Sequence, residues 1–190
     1  MQLIKEMGAN FVRISHYPQD KAIIEQCDKL GLLVWEEIPI IDIIPEETSF
    51  GDNCETNLRE MIRQHYNHPS VIMWGGYMNE ILLVTQRKHK GKELDELISR
   101  EIDLAKRLEK VLKEEDSRRY SVMAFHGSDS YNKAGFGNIV DIVGWNLYQV
   151  GILIICNSSI SLSKTSKSNI PASQRLSVNT EQDRINAYIH

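Results

Sequence analysis

Cysteine is scarce in this 190-residue chain, with three residues in all. Cys27, Cys54 and Cys156 are scattered and show neither metal-binding nor redox spacing. An odd set of that kind excludes a disulfide framework and leaves buried thiols as the expectation. Excess positive charge is missing too. Twenty-six acidic side chains against 22 basic ones leave a net charge of −4. A basic patch is the usual footprint of nucleic-acid binding, so no nucleic-acid partner is expected. No apolar run approaches the roughly 18 residues of a membrane helix. The stretch Val150–Cys156 is apolar but far too short, so no membrane partner is expected. A phosphate-binding glycine loop, a nucleophile elbow and a metal-ligand signature are also lacking. No cofactor and no metal are therefore expected. His65-x-x-His68 has no third ligand at useful spacing and reads as helix C-terminal capping. Met1–Met7 reads as an amphipathic helix rather than a signal peptide. The compartment stays open between cytoplasm and periplasm.

What is present is an alternation of short apolar runs with amphipathic helices over residues 1–149. That rhythm argues for βαβ units and a parallel sheet, hence the α/β class. Leu3, Ile4 and Met7 share a helical face ended by Gly8, and Asn10–Ser15 reads as a strand. Ala22, Ile23, Cys27 and Leu30 line a helix that Gly31 ends, as a C′ glycine does. Leu32–Trp35 is a continuous apolar strand, the pattern of a sheet covered on both faces. A loop is expected from Glu37 to about Asn53. Leu58, Met61, Ile62 and His65 then recur at helical spacing before the strand Val71–Trp74. Apolar positions from Leu94 to Leu112 predict a long helix, and Tyr120–Phe125 and Ile139–Trp145 predict two more strands. After Gln149 the rhythm stops. Residues 157–180 are rich in Ser, Thr, Asn and Lys, and the segment 150–190 is expected to be irregular or disordered.

In parallel α/β architectures active sites lie at the C-terminal ends of the strands. The five expected strands end in Arg13 and His16, in Glu36 and Glu37, in Asn79 and Glu80, in His126, and in Trp145, Asn146 and Tyr148. This ring suits a sugar. Aromatic faces stack on a pyranose, Asn, His and Arg bind hydroxyls, and carboxylates move protons. Each residue also has an ordinary reading when taken alone. Arg13 could be a structural ion pair, His16 and His126 satisfied histidines, Glu36 and Glu37 strand-end charges, and Trp74 and Trp145 core residues.

Four motifs carry a family resemblance. Gly8–Pro18 resembles the second barrel strand of glycoside hydrolase family 2, the β-galactosidase and β-glucuronidase family. Cys27–Glu37 resembles its second helix and third strand, Asn67–Glu80 its fourth strand, and Asp141–Tyr148 its sixth. The resemblance implies an incomplete (β/α)8 TIM barrel, about strands 2–6, over residues 1–149. It implies a retaining exo-β-glycosidase, β-galactosidase-like, acting on a β-glycoside substrate. Glu80 takes the acid/base role, and Asn79 the contact with the sugar 2-hydroxyl. Arg13 and His16 match positions that border the sugar subsite and support the nucleophile. Tyr148 matches a tyrosine that hydrogen-bonds the nucleophile. Glu37, His126, Trp145 and Asn146 share the same mouth. A homo-oligomeric parent enzyme is compatible with the family.

The family's nucleophile is a glutamate ending the seventh strand, and nothing after Gln149 resembles that strand. Glu181 has neither an apolar strand before it nor a glycine after it, so it is not assigned. The change near Val150 is expected to mark a frameshift or truncation, with residues 150–190 as a non-family tail. The chain alone is then expected to be inactive. A non-catalytic remnant that binds carbohydrate or a partner protein is the alternative.

Overall fold

A computed structural model of the chain describes residues 1–75, 77, 81–126 and 129–146, with residues 147, 148 and 158–163 described as backbone. In chain order the elements are α1 (Gln2–Glu6), β1 (Phe11–Ile14), α2 (Lys21–Leu30), β2 (Leu33–Glu37), α3 (Thr48–His65), β3 (Val71–Gly75), α4 (Ile81–Lys88), α5 (Gly91–Glu115), β4 (Tyr120–His126), α6 (Ser130–Ala134), β5 (Ile142–Tyr148) and β6 (Ser158–Ser163). The strands follow one another in sequence order. Neighbours from β1 to β5 are parallel. This is the α/β architecture of a partial (β/α)8 barrel.

Local chemistry explains the repeating unit. Asp20 caps α2 by accepting from the Ala22 N–H at 2.8 Å, and Gly31 closes the helix at φ 63 in the left-handed region. A cap of this kind contributes about 1 kcal/mol. The strands carry side chains to two sides by their period of two. On the helix-facing side, Val34, Trp74, Met123, Phe125 and Val143 join residues of α2, α3 and α5 in the main core. On the other side, Trp35, Met73, Val122 and Ala124 form a second, inner cluster. The sheet is strongly curled. Flat strands spaced about 4.8 Å apart would set β1 and β5 roughly 19 Å from each other. Here Arg13 on β1 reaches Asn146 on β5 at 2.6 Å.

Four elements differ from the sequence expectation. α3 starts at Thr48 rather than after Asn53, because Arg107 of α5 binds Asp52 and Glu55 and holds the polar first turns in place. The helix α4 has no counterpart in the apolar pattern. It buries only Ile81, Leu82 and Thr85, too few positions to set up a visible period. β5 runs Ile142–Tyr148, three residues later than expected. The expectation of irregular chain through 150–190 is corrected for six residues. Ser158–Ser163 form β6, antiparallel to β5. Ile160 and Leu162 alternate with serines there, the period of a strand, and β5 offers an open row of backbone hydrogen-bonding groups. The remaining residues of that segment lie outside the described ones.

His65 and His68 do not act as bare helix caps. Each Nδ1 meets a carboxylate, Glu36 at 2.8 Å and Asp28 at 2.6 Å. Cys27 and Cys54 are both buried. Among the described residues, no helix is long and apolar enough to cross a membrane.

Candidate active site

Glu37 ends β2 and is fully buried. A buried carboxylate is costly unless each oxygen finds a partner, and both do. Arg13 donates from Nε to Glu37 Oε1. His16 Nδ1 lies 2.9 Å from Glu37 Oε2. Arg13 also donates from Nη1 to Asn146 Oδ1 at 2.6 Å. One guanidinium thus ties together the C-terminal ends of β1, β2 and β5. Its central carbon lies over the Trp35 indole, 4.3 Å from the ring centroid. Stacking of this kind orients an arginine fork and adds a cation–π attraction.

The indole of Trp35 sits in turn against β5. A Cβ on Gly144 would lie 2.7 Å from the Trp35 ring. No larger residue fits at 144 without displacing Trp35, and Trp35 carries Arg13. Neither residue is among the candidate site residues expected from the sequence. The signal for Trp35 was the alternation in Leu33–Glu37, which sends Trp35 and Glu37 to the inner side and Glu36 to the helices. Glu36 accordingly bonds His65 of α3.

Four of the candidate residues are therefore brought together: Arg13, His16, Glu37 and Asn146. His126 ends β4 in register beside Asn146, with its ring edge-on to Tyr131 at 5.2 Å. Trp145 stands apart from these four. The alternation that turns Gly144 and Asn146 inward turns Trp145 to the helix side, where its ring meets Phe125 edge-on at 5.6 Å. Tyr148 ends β5, and its side chain lies outside the described residues. Asn79 and Glu80 lie outside them as well. Among the described residues, no group of three or more His, Cys, Asp or Glu is arranged to hold a metal.

A bonded set of Arg, His, Glu and Asn at the strand ends offers donors and acceptors in fixed directions, which suits a polyhydroxylated ligand. The model of the glycosyl hydrolases family 2 TIM barrel domain matches residues 1–123. The chain belongs to glycosyl hydrolase family 2. Within this family, Bacteroides uniformis β-glucuronidase 2 has been solved covalently bound to cyclophellitol-6-carboxylate aziridine. It is 71% identical with a TM-score of 0.75, over 78% of this chain and 18% of that one. The β-glucuronidase of Bacteroides fragilis is 31% identical over 153 residues, which is 77% of this chain and 19% of that protein. The β-galactosidase of Thermoanaerobacterium thermosulfurigenes is 50% identical over 78 residues, 41% of this chain and 11% of that protein. The chain thus spans about a fifth or less of the length of these family 2 relatives.

Proposed function

We propose that residues 1–149 supply the acid/base half of the active site of a retaining β-glycosidase, with β-glucuronides preferred over β-galactosides. Glu80 is the acid/base in this reading and Asn79 holds the sugar 2-hydroxyl. Arg13, His16, Glu37 and Asn146 form a polar wall of the same site in this reading. The observation that carries the reading is the 71% identity to a β-glucuronidase solved as a covalent adduct with a carboxylate-bearing sugar mimic.

Retaining hydrolysis proceeds in two displacements. A nucleophilic carboxylate attacks the anomeric carbon while the acid protonates the leaving oxygen. The same group then works as base to activate water, and the two carboxyl groups stand about 5–5.5 Å apart. No residue of this chain is assigned the nucleophile's role, so the 190 residues alone are expected to leave glycosides intact. Arg13 contributes by preorganisation. Locked between Glu37, Asn146 and Trp35, it costs no reorganisation when charge develops.

The test transplants residues 1–149 in place of the corresponding segment of Bacteroides uniformis β-glucuronidase 2. The graft is assayed on 4-nitrophenyl β-glucuronide and β-galactoside. The reading predicts hydrolysis of the glucuronide and its loss in Glu80→Gln. A folded graft that cleaves neither substrate overturns it and leaves carbohydrate or protein binding as the function to pursue.

A further inference from the structure

The segment that carries Asn79 and Glu80 is bounded on both sides by residues fastened to one helix. Tyr77 is fully buried, and its hydroxyl donates to Glu109 Oε2 at 3.0 Å. Thr85, on α4, donates to Glu101 Oε1 at 2.5 Å. One step earlier in the chain, the indole N–H of Trp74 donates to Asp116 Oδ2 at 3.1 Å. Glu101 and Glu109 lie on α5, and Asp116 caps its C-terminus. Trp74, Tyr77 and Thr85 therefore run one way while Asp116, Glu109 and Glu101 run the other. The two glutamates are eight positions apart, about 12 Å along the helix axis.

These are not surface ion pairs. Glu101 is 4% exposed, and burial pushes its carboxyl above the ordinary glutamate value. Burial pushes the Glu109 carboxyl up as well. Glu109 is itself held from behind. Its second oxygen accepts from the Ser121 hydroxyl on β4 at 2.9 Å, and the Asp141 N–H donates to Ser121 Oγ at 3.0 Å. A carboxyl set into a helix–sheet interface is destabilising beside a leucine of similar size unless its hydrogen bonds do something a leucine cannot. What these bonds do is fasten the chain on either side of the catalytic pair. Ile81 and Leu82, directly after Glu80, are planted in the core.

We propose that α5 is the positioning element of the acid/base, with Glu109 and Glu101 fixing the two ends of the 77–85 segment through Tyr77 and Thr85. The assignment rests on reading Glu80 as the acid/base. These are positioning residues, acting on the segment and not on the sugar.

The test follows backbone amide exchange in the full 190-residue chain. Tyr77→Phe keeps the ring and removes only the hydroxyl, and Glu109→Leu removes the acceptor. Each is expected to speed exchange across residues 76–82 by about tenfold, the share of one buried hydrogen bond, while amides of β1 and β2 stay unchanged. Glu109→Gln, which keeps an acceptor oxygen, is expected to restore slow exchange. In the Bacteroides uniformis graft, Tyr77→Phe is expected to lower kcat/KM, which reports the acid-assisted first displacement, more for the methylumbelliferyl substrate than for the dinitrophenyl one, whose leaving group departs without acid help. Unchanged exchange, or exchange that rises evenly over the whole sheet, overturns the proposal. So does an equal loss on both leaving groups. A wild-type graft without activity overturns the Glu80 reading and leaves the exchange result standing.

Discussion

Gly144→Ala tests the inner packing on which the site is built. The added methyl would lie 2.7 Å from one Trp35 ring carbon and 3.0 Å from the next. Ordinary carbon contact is about 3.5–4.0 Å, so the overlap is roughly an ångström. Trp35 is fully buried, and the Arg13 guanidinium lies over its ring. A fully buried ring makes room only by displacing its neighbours. Overpacking of a filled core costs about 1–3 kcal/mol. At about 2–4 °C per kcal/mol for a domain of this size, Tm is expected to fall by about 2–12 °C in a circular-dichroism melt of the full chain. The decisive arm is the double-mutant cycle. In a Trp35→Leu background the ring is gone, and Gly144→Ala is expected to cost little. The difference between backgrounds is the coupling energy. An equal loss of stability in both backgrounds would refute the packing described for Trp35.

Three further outcomes follow from the same contacts. Arg13→Met leaves the fully buried Glu37 short of its main counter-charge, and breaking such a pair is expected to cost about 3–5 kcal/mol in urea unfolding; a cost below about 1 kcal/mol would count against it. For Asp116, burial pushes the carboxyl up, but hydrogen bonds from Trp74 and Arg119 outweigh burial and leave it below 3.8. Its stabilisation is present above that ordinary value and lost as pH falls through the lower folded value. Asp116→Asn should therefore shrink the stability difference between pH 7 and pH 3 in parallel urea titrations. Glu101 has the opposite sign. Its folded value is raised above 4.5 by burial, so its contribution is present below 4.5 and is lost as pH rises through the folded value. Glu101→Gln is expected to flatten the decline of stability above pH 4.5, and an unchanged slope would argue that Glu101 is solvated.

Where a residue's role is set by local period or by a cap, it was legible in the sequence. Gly31 shows this, as does the apolar run Leu32–Trp35 feeding two glutamates. Arg13, His16, Glu37 and Asn146 were also legible as a group, because parallel strands carry their chemistry at their C-terminal ends. Trp145 was grouped with the mouth by its position at a strand end alone, and its ring packs on the helix side. Alternation from Gly144, whose missing side chain makes room for Trp35, would have turned it outward. The short helix α4 stayed hidden because its stability comes from contacts with α5, such as Thr85 with Glu101, rather than from its own periodicity. Tyr77 and Glu109 were invisible for a related reason. They are 32 residues apart in the chain and meet only once β3 and α5 pack.

Glu80 is proposed above as the acid/base of a retaining β-glycosidase barrel. The most direct measurement is azide rescue of Glu80→Ala in the Bacteroides uniformis graft, with the configuration of the glycosyl azide read by NMR. Without the acid/base, a glycosyl-enzyme intermediate formed from a substrate with a good leaving group accumulates, and azide can enter from the face that the leaving group vacated. Restored turnover and a β-glucuronosyl azide are the expected outcome. An α-configured azide would mean that Glu80 is the nucleophile. A Glu80→Ala graft as active as the wild type would mean that Glu80 takes no part in the reaction.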